Sequence, residues 1–210
     1  MKKPEALEIF KILKDEIPNP VSELEYVNPY TFLVAVVLSA QSTDKGVNKA
    51  TKALFEIADT PQKMVSLGID KLKDYIKTIG LYNNKAKNII ALSQDLVEKY
   101  NGEVPHNREA LESLAGVGRK TANVVLNVIW DEPVIAVDTH VIRIANRLGF
   151  SKSENPLKIE EDLNKILPDE YKKLANHLLV LFGRYTCKAQ KPYCENCPIA
   201  HLCHAPDKRI

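Results

Sequence analysis

Long hydrophobic runs are missing from this sequence. The longest, Phe32–Leu38 within Thr31–Ala40, is far shorter than the roughly 20 residues a bilayer-spanning helix needs. The N-terminus, Met1-Lys2-Lys3-Pro4, leads into an amphipathic segment rather than the apolar centre of a secretory leader. No membrane partner is expected, and an intracellular protein is. Glycine is scarce, eight residues in 210, and the twelve prolines stand singly, which excludes collagen-like, low-complexity and disordered chains. A charge excess is missing too: the formal net charge is only +2, so any polyanionic partner has to be held by a local patch. Period-2 alternation is absent, and Val134–Val137 is too short to found a sheet. Cysteine is absent before Cys187. All four lie between Cys187 and Cys203, which argues against disulfides spread as staples across the fold.

What is present is helical. With 45% hydrophobic and 27% charged residues, the chain can bury a core and keep a polar surface. Leu7, Phe10, Ile12 and Leu13 form one stripe, Val47, Ala50, Leu54 and Ile57 another, and Leu72, Ile76 and Ile79 a third. The run Thr31–Leu38, apolar nearly all round, predicts a helix in the centre of the core. Pro61, Asn107, Asp138 and Pro156 mark helix starts, and Gly68, Gly80, Gly102 and Gly149 mark ends that want a left-handed residue. The fold class is all-α, with ten or more short helices. Ile17-Pro18-Asn19-Pro20 and Asp131-Glu132-Pro133 are the candidate hinges between sub-domains.

The most informative stretch is Leu114-Ala115-Gly116-Val117-Gly118-Arg119-Lys120-Thr121-Ala122. A short helix, Arg108–Leu114, enters a Gly-Val-Gly turn, and a second helix follows with Ala122, Val125, Leu126 and Ile129 on one face. Glycines at i and i+2 allow a tight turn and leave amide N–H groups uncovered at a helix start, where a phosphate is favoured. Gly116, Val117, Gly118 and Arg119 are therefore candidate phosphate contacts, although an ordinary helix–turn–helix corner has the same spacing. Lys120 lies in the first turn of the second helix, where the peptide dipoles and neighbouring Arg119 disfavour its charged form. A neutral amine beside a phosphate-binding turn is what Schiff-base chemistry on a deoxyribose needs. Asp138 follows Val134-Ile135-Ala136-Val137 and opens another helix. As an N-cap it needs no catalytic role, but capping fixes a carboxylate that could take a proton or stabilise a cationic sugar. His140 either meets phosphate or fills the helix start.

The cysteines read Cys187-x6-Cys194-x2-Cys197-x5-Cys203. Four soft ligands with a C-x2-C pair suit either a tetrahedral zinc or a four-iron cluster. Arg184, Lys188 and Lys191 meet no acid until Glu195, so a metal-braced loop would present cations to a phosphate backbone.

Taken together, these elements resemble the endonuclease III family over essentially the whole chain. The resemblance is carried by Leu38-Ser39-Ala40-Gln41-Ser42-Thr43-Asp44 with Val47-Asn48-Lys49-Ala50, by Tyr75-Ile76-Lys77-Thr78-Ile79-Gly80-Leu81-Tyr82-Asn83, and by Asn101-Gly102-Glu103-Val104-Pro105. The hairpin with Lys120, the run Ile135-Ala136-Val137-Asp138-Thr139-His140 and the cysteine spacing complete it. One position departs: Ala115 stands where the family's hairpin usually has proline, at some loss of stiffness but no loss of an amide.

The resemblance implies a helix-hairpin-helix glycosylase fold. A six-helix barrel containing the hairpin would span residues 22–132, and residues 1–21 and 133–210 would form a second helical domain. That domain would hold one [4Fe-4S] cluster per chain on Cys187, Cys194, Cys197 and Cys203, in the loop 187–203. The implied partner is double-stranded DNA with damaged pyrimidines or abasic sites, bound by a monomer in the cytoplasm, at the nucleoid, of a prokaryotic-type cell. Lys120 would displace an oxidised pyrimidine and β-eliminate the strand, with Asp138 assisting. Gln41 would fill the space left by the flipped nucleotide, Leu81 would wedge beside the opposite strand, and His140, Arg184 and Lys191 would add contacts to the DNA. Two rivals are a non-catalytic helix-hairpin-helix module and a monofunctional mismatch glycosylase. Lys120, and a chain ending seven residues past Cys203, speak against the second.

Overall fold

A computed structural model, which describes residues 2–209, contains eleven α-helices and one short 3-10 turn, with no strand among the described residues. In chain order the helices are α1 (Lys3–Glu16), α2 (Pro29–Ser39), α3 (Asp44–Ile57), α4 (Pro61–Leu67), α5 (Ile69–Ile76) and α6 (Tyr82–Tyr100). They continue as α7 (Arg108–Glu112), α8 (Arg119–Trp130), α9 (Thr139–Leu148), α10 (Pro156–Ile166) and α11 (Asp169–Tyr185). The all-α reading of the sequence is borne out. No helix is long and apolar enough to cross a membrane among the described residues.

The chain divides into two compact units, Ser22–Trp130 and Met1–Val21 with Asp131–Ile210. In the first, α2 is the central element. Asn28 accepts from the Thr31 amide while Thr31 Oγ1 accepts from the Asn28 amide, and Pro29 supplies the fixed φ of a first helical residue. Tyr30 through Leu38 are all buried, so the segment that looked apolar on every side is packed on every side, against α3, α6 and α8. Each large side chain in it contributes roughly 1.5–3 kcal/mol. The Tyr30 hydroxyl pairs with Ser93 Oγ at 2.6 Å, which lets a phenol sit in this core.

The second unit has its own core. Along α1 the buried stripe is Ala6, Ile9, Phe10 and Leu13, with Leu7 and Ile12 only half-buried at its flanks. Phe10 meets Phe150 and Tyr171 at ring distances of 5.6 and 5.9 Å. α1 and α9 pack on α11, and α10 on α9. Ile199, inside the cysteine loop, is fully buried in this core and anchors an otherwise coreless segment.

One expectation about helix ends needs correcting. Gly68, Gly102 and Gly149 take positive φ, but Gly80 does not; the left-handed residue there is Leu81, at φ 59°.

Candidate active site and iron–sulfur loop

The hairpin is built as its glycines suggest, with unequal roles for the two. Gly116 has φ +78°, and a Cβ there would lie 2.8 Å from Asn88 Nδ2 and 3.0 Å from Asn88 Cβ, so α6 closes against the turn. Gly118 needs no left-handed backbone and faces open space. Its carbonyl accepts the first helical bond of α8, from the Ala122 amide at 2.9 Å, which makes it the N-cap. The amides of the first α8 turn therefore lack helical acceptors, and no side chain at Gly118 stands in front of them. Arg108 Nε donates to Asn123 Oδ1 at 2.9 Å and braces α7 against α8. Arg119 and Lys120 are both exposed on that first turn. Val117 is buried, so of this predicted contact only the backbone is available to a ligand.

Two further predicted residues share a backbone anomaly. Gln41 and Leu81 are both left-handed, at φ 54° and 59°. Non-glycine residues in this region carry strain, typically of order 1 kcal/mol or more, and such strain collects at functional sites. Leu81 is also 59% exposed, an apolar side chain facing water from a strained backbone. Folding alone gives no reason for either feature. The loops carrying the pair abut, since a Cβ on Gly80 would lie 3.8 Å from the Gln41 carbonyl.

In the other unit, Asp138 caps α9, accepting from the Val141 amide at 2.9 Å. The extended run before it is pinned: Ile135, Ala136 and Val137 are buried, and Asn176 Nδ2 donates to the Ala136 carbonyl at 2.7 Å. The carboxylate is thus fixed from both sides. His140 is half-buried against Gly183 and faces Arg143, whose Nη2 lies 3.2 Å from His140 Nδ1. A guanidinium can only donate, so Nδ1 is the acceptor and Nε2 carries the proton.

Cys187, Cys194, Cys197 and Cys203 line one pocket, together with Leu148, Phe182 and Ile199. All four are free thiols. Four unpaired thiols lining one largely apolar pocket suit either a tetrahedral zinc or a four-iron cluster. Arg147 braces this loop, donating to the Lys188 carbonyl at 2.7 Å and the Ala189 carbonyl at 3.2 Å, with Nη1 3.5 Å from Cys187 Sγ. It also pairs with Asp207 at 2.5 Å. Arg143 adds bonds to the Gly183 and Cys187 carbonyls. Burial pushes the Cys187 thiol up and neighbouring Arg147 opposes it. Lys191 is exposed at the loop's left-handed residue, φ 51°, and Arg184 is half-buried at the end of α11. Lys188 is engaged with Tyr193, 4.5 Å above its ring.

Arg143, Arg147, Asn88 and Lys85 escaped the sequence reading. Arg147 had one visible signal, a basic residue in the last turn of α9, but that is equally a helix-end charge.

Residues 34–169 match the HhH-GPD superfamily of base excision DNA repair proteins, and residues 187–203 match the iron–sulfur binding domain of endonuclease III. The chain is similar to endonuclease III of Haemophilus influenzae, 56% identical over 99% of each chain. It is 51% identical to endonuclease III of Escherichia coli, again over 99% of each. Among solved structures, a trapped endonuclease III–DNA covalent intermediate in an estranged-adenine complex superposes with a TM-score of 0.92. Its identity is 47%, with 97% of this chain and 96% of that chain covered.

Proposed function

The chain belongs to the endonuclease III family, bifunctional DNA glycosylase/AP lyases of base excision repair that carry a [4Fe-4S] cluster, and from that premise we propose that Lys120 is its nucleophile. The observation that carries the proposal is the place of Lys120: exposed, two residues after the open Gly118 and in the first turn of the helix whose amides suit a phosphate. A backbone phosphate held there brings the adjoining sugar within reach of the amine. The relative trapped as a covalent intermediate with DNA supports a covalent route.

The substrate is duplex DNA bearing an oxidised pyrimidine or an abasic site, bound by one chain. Support for a single chain is that each unit closes its own core. The damaged nucleotide leaves the stack, at a cost of a few kcal/mol that is lower for a poorly stacked base. The Lys120 amine attacks C1′ as the base departs with the electrons of the glycosidic bond. Asp138 takes the amine's proton or stabilises the cationic sugar. The sugar ring then opens, the C1′–O4′ bond breaking with its electrons and a proton going to O4′. The imine that results acidifies C2′; loss of that proton expels the 3′ phosphate and cuts the strand on the 3′ side. Gln41 and Leu81 hold the opened stack. The Gly116–Arg119 backbone, His140, Arg184 and Lys191 contact phosphates.

Cys187, Cys194, Cys197 and Cys203 hold the cluster, which when bound supplies structural order to the loop that presents Lys191. No chemical step is assigned to it.

Borohydride trapping on an abasic duplex tests the proposal. A covalent adduct that disappears in Lys120→Gln, with DNA binding retained, is expected. Binding without any adduct in the unaltered protein would leave only a DNA-holding module.

A further inference from the structure

Lys85 is 5% exposed and lies in the first turn of α6. Its ammonium donates to Ser42 Oγ at 2.8 Å, and Ser42 is its one side-chain partner among the described residues. Burial holds it below the ordinary lysine range, with no carboxylate to offset the loss of water. A buried cation satisfied by a single neutral hydroxyl is a poor choice for stability, since its desolvation is only partly repaid. Other residues could fill that space more cheaply. The position of the charge suggests why it is kept. The Lys85 amide donates to the Leu81 carbonyl at 3.1 Å, so one residue grips Leu81 through its backbone and the Gln41–Ser42 loop through its side chain. Ser42 follows left-handed Gln41 directly, and its amide closes the turn onto the Ser39 carbonyl at 3.0 Å. One turn further along α6, Asn88 lies against Gly116 of the hairpin. The same stretch of helix thus touches both strained loops and the phosphate-binding turn.

We propose that Lys85 is a positioning residue for the glycosylase: its bond to Ser42 ties the Gln41 loop to the Leu81 turn, so that the two left-handed residues enter the DNA as one rigid wedge. This rests on the reading that Gln41 and Leu81 insert into the opened duplex. Lys85 itself touches no reacting atom. Its removal disturbs the wedge in duplex DNA, where a stack must be held open, and spares the lyase step on single strands, where there is none.

The test compares Lys85→Met, Lys85→Arg and Ser42→Ala with Gln41→Ala and Leu81→Ala in the cluster-loaded protein. Three readouts are taken: single-turnover rate on a duplex with an oxidised pyrimidine, lyase rate on a single-stranded abasic oligonucleotide, and melting temperature. A 2-aminopurine placed beside the lesion reports the opened stack. Lys85→Met is expected to slow the duplex reaction by roughly ten- to a hundredfold and to dim the 2-aminopurine signal, as a misplaced contact does. Its single-strand rate stays within about twofold of the parent and its melting temperature is equal or higher, as for removal of an unpaired buried charge. Ser42→Ala follows the same pattern more weakly, and Lys85→Arg recovers part of the duplex rate. A Lys85→Met protein as fast as the parent on duplex, beside slow Gln41→Ala and Leu81→Ala proteins, overturns the inference and leaves the wedge reading standing. Loss on both substrates with a lower melting temperature also overturns it, since Lys85 is then merely structural. If Gln41→Ala and Leu81→Ala both keep the parent rate, the wedge reading itself fails and takes this inference with it.

Discussion

The two hairpin glycines separate folding from binding when each is given a methyl group. Gly116→Ala forces an L-residue into φ +78° and drives a Cβ to 2.8 Å from Asn88 Nδ2 and 3.0 Å from Asn88 Cβ. The amide end of Asn88 can swing away, but its Cβ is fixed to α6 and cannot. The left-handed conformation costs roughly 1–2 kcal/mol and the overpacking about 1–3 kcal/mol more. At about 2–4 °C per kcal/mol for a chain of this size, the melting temperature should fall by roughly 4–20 °C. Gly118→Ala meets nothing within 4 Å and no positive φ, so its melting temperature should barely move. If a phosphate sits on the first amides of α8, that methyl stands in its way. Losing one or two charge-assisted bonds, each worth about 1.5–3 kcal/mol, raises Kd at least about tenfold. Calorimetry and fluorescence anisotropy on an abasic-analogue duplex, at one fixed salt concentration, measure the two effects. A Gly118→Ala protein that binds this duplex like the parent would refute the reasoning, because the open face of the turn would then not be where the backbone docks.

Asp138→Asn keeps an N-cap of equal quality, so the melting temperature should hold while the glycosylase rate drops by about 10²–10⁴; a parallel loss of stability would reduce Asp138 to a cap. Asn176→Ala leaves the buried Ala136 carbonyl without its donor and should cost about 1–3 kcal/mol, read as a melting shift of roughly 2–12 °C. Arg147→Ala removes the bonds to Lys188, Ala189 and Cys187 Sγ together with the Asp207 pair, and should speed loss of iron and visible absorbance under a chelator. Unchanged iron retention would show that the loop holds its shape without that brace.

How far this molecule can be read from its sequence depends on the range of each interaction. Local signals were sufficient for the helices: Asn28, Thr43, Thr60, Asn107 and Asp138 all cap with their side chains, and each has its partner within three residues. The cysteines were legible for the same reason, since their ligand spacing is confined to one loop. Spacing could not choose zinc or cluster. That choice came from the match of residues 187–203 to the iron–sulfur binding domain of endonuclease III. Lys85 and Ser42 stand 43 positions apart, and Arg147 and Lys188 41, so no window of sequence contains either pair. Nor does composition reveal that a leucine rather than the glycine beside it takes the left-handed turn at 80–81.

Such long-range contacts explain how a chain with a net charge of +2 can be built for DNA. A diffuse positive field is not what this structure offers. On the function proposed above, open amides beside Gly118 would bind a phosphate by geometry, and strained Gln41 and Leu81 would supply a shape that the duplex must yield to. Rigid shape has to be held by neighbours, and the neighbours here are on α6: Lys85 against the Gln41 loop, Asn88 against the hairpin. The cost is local, a buried cation and left-handed side chains. It is carried by cores elsewhere, such as α2, where Tyr30 through Leu38 are all buried. On that proposal stability and function are separable on this helix, and removing the Lys85 charge should yield a firmer protein that opens DNA less well.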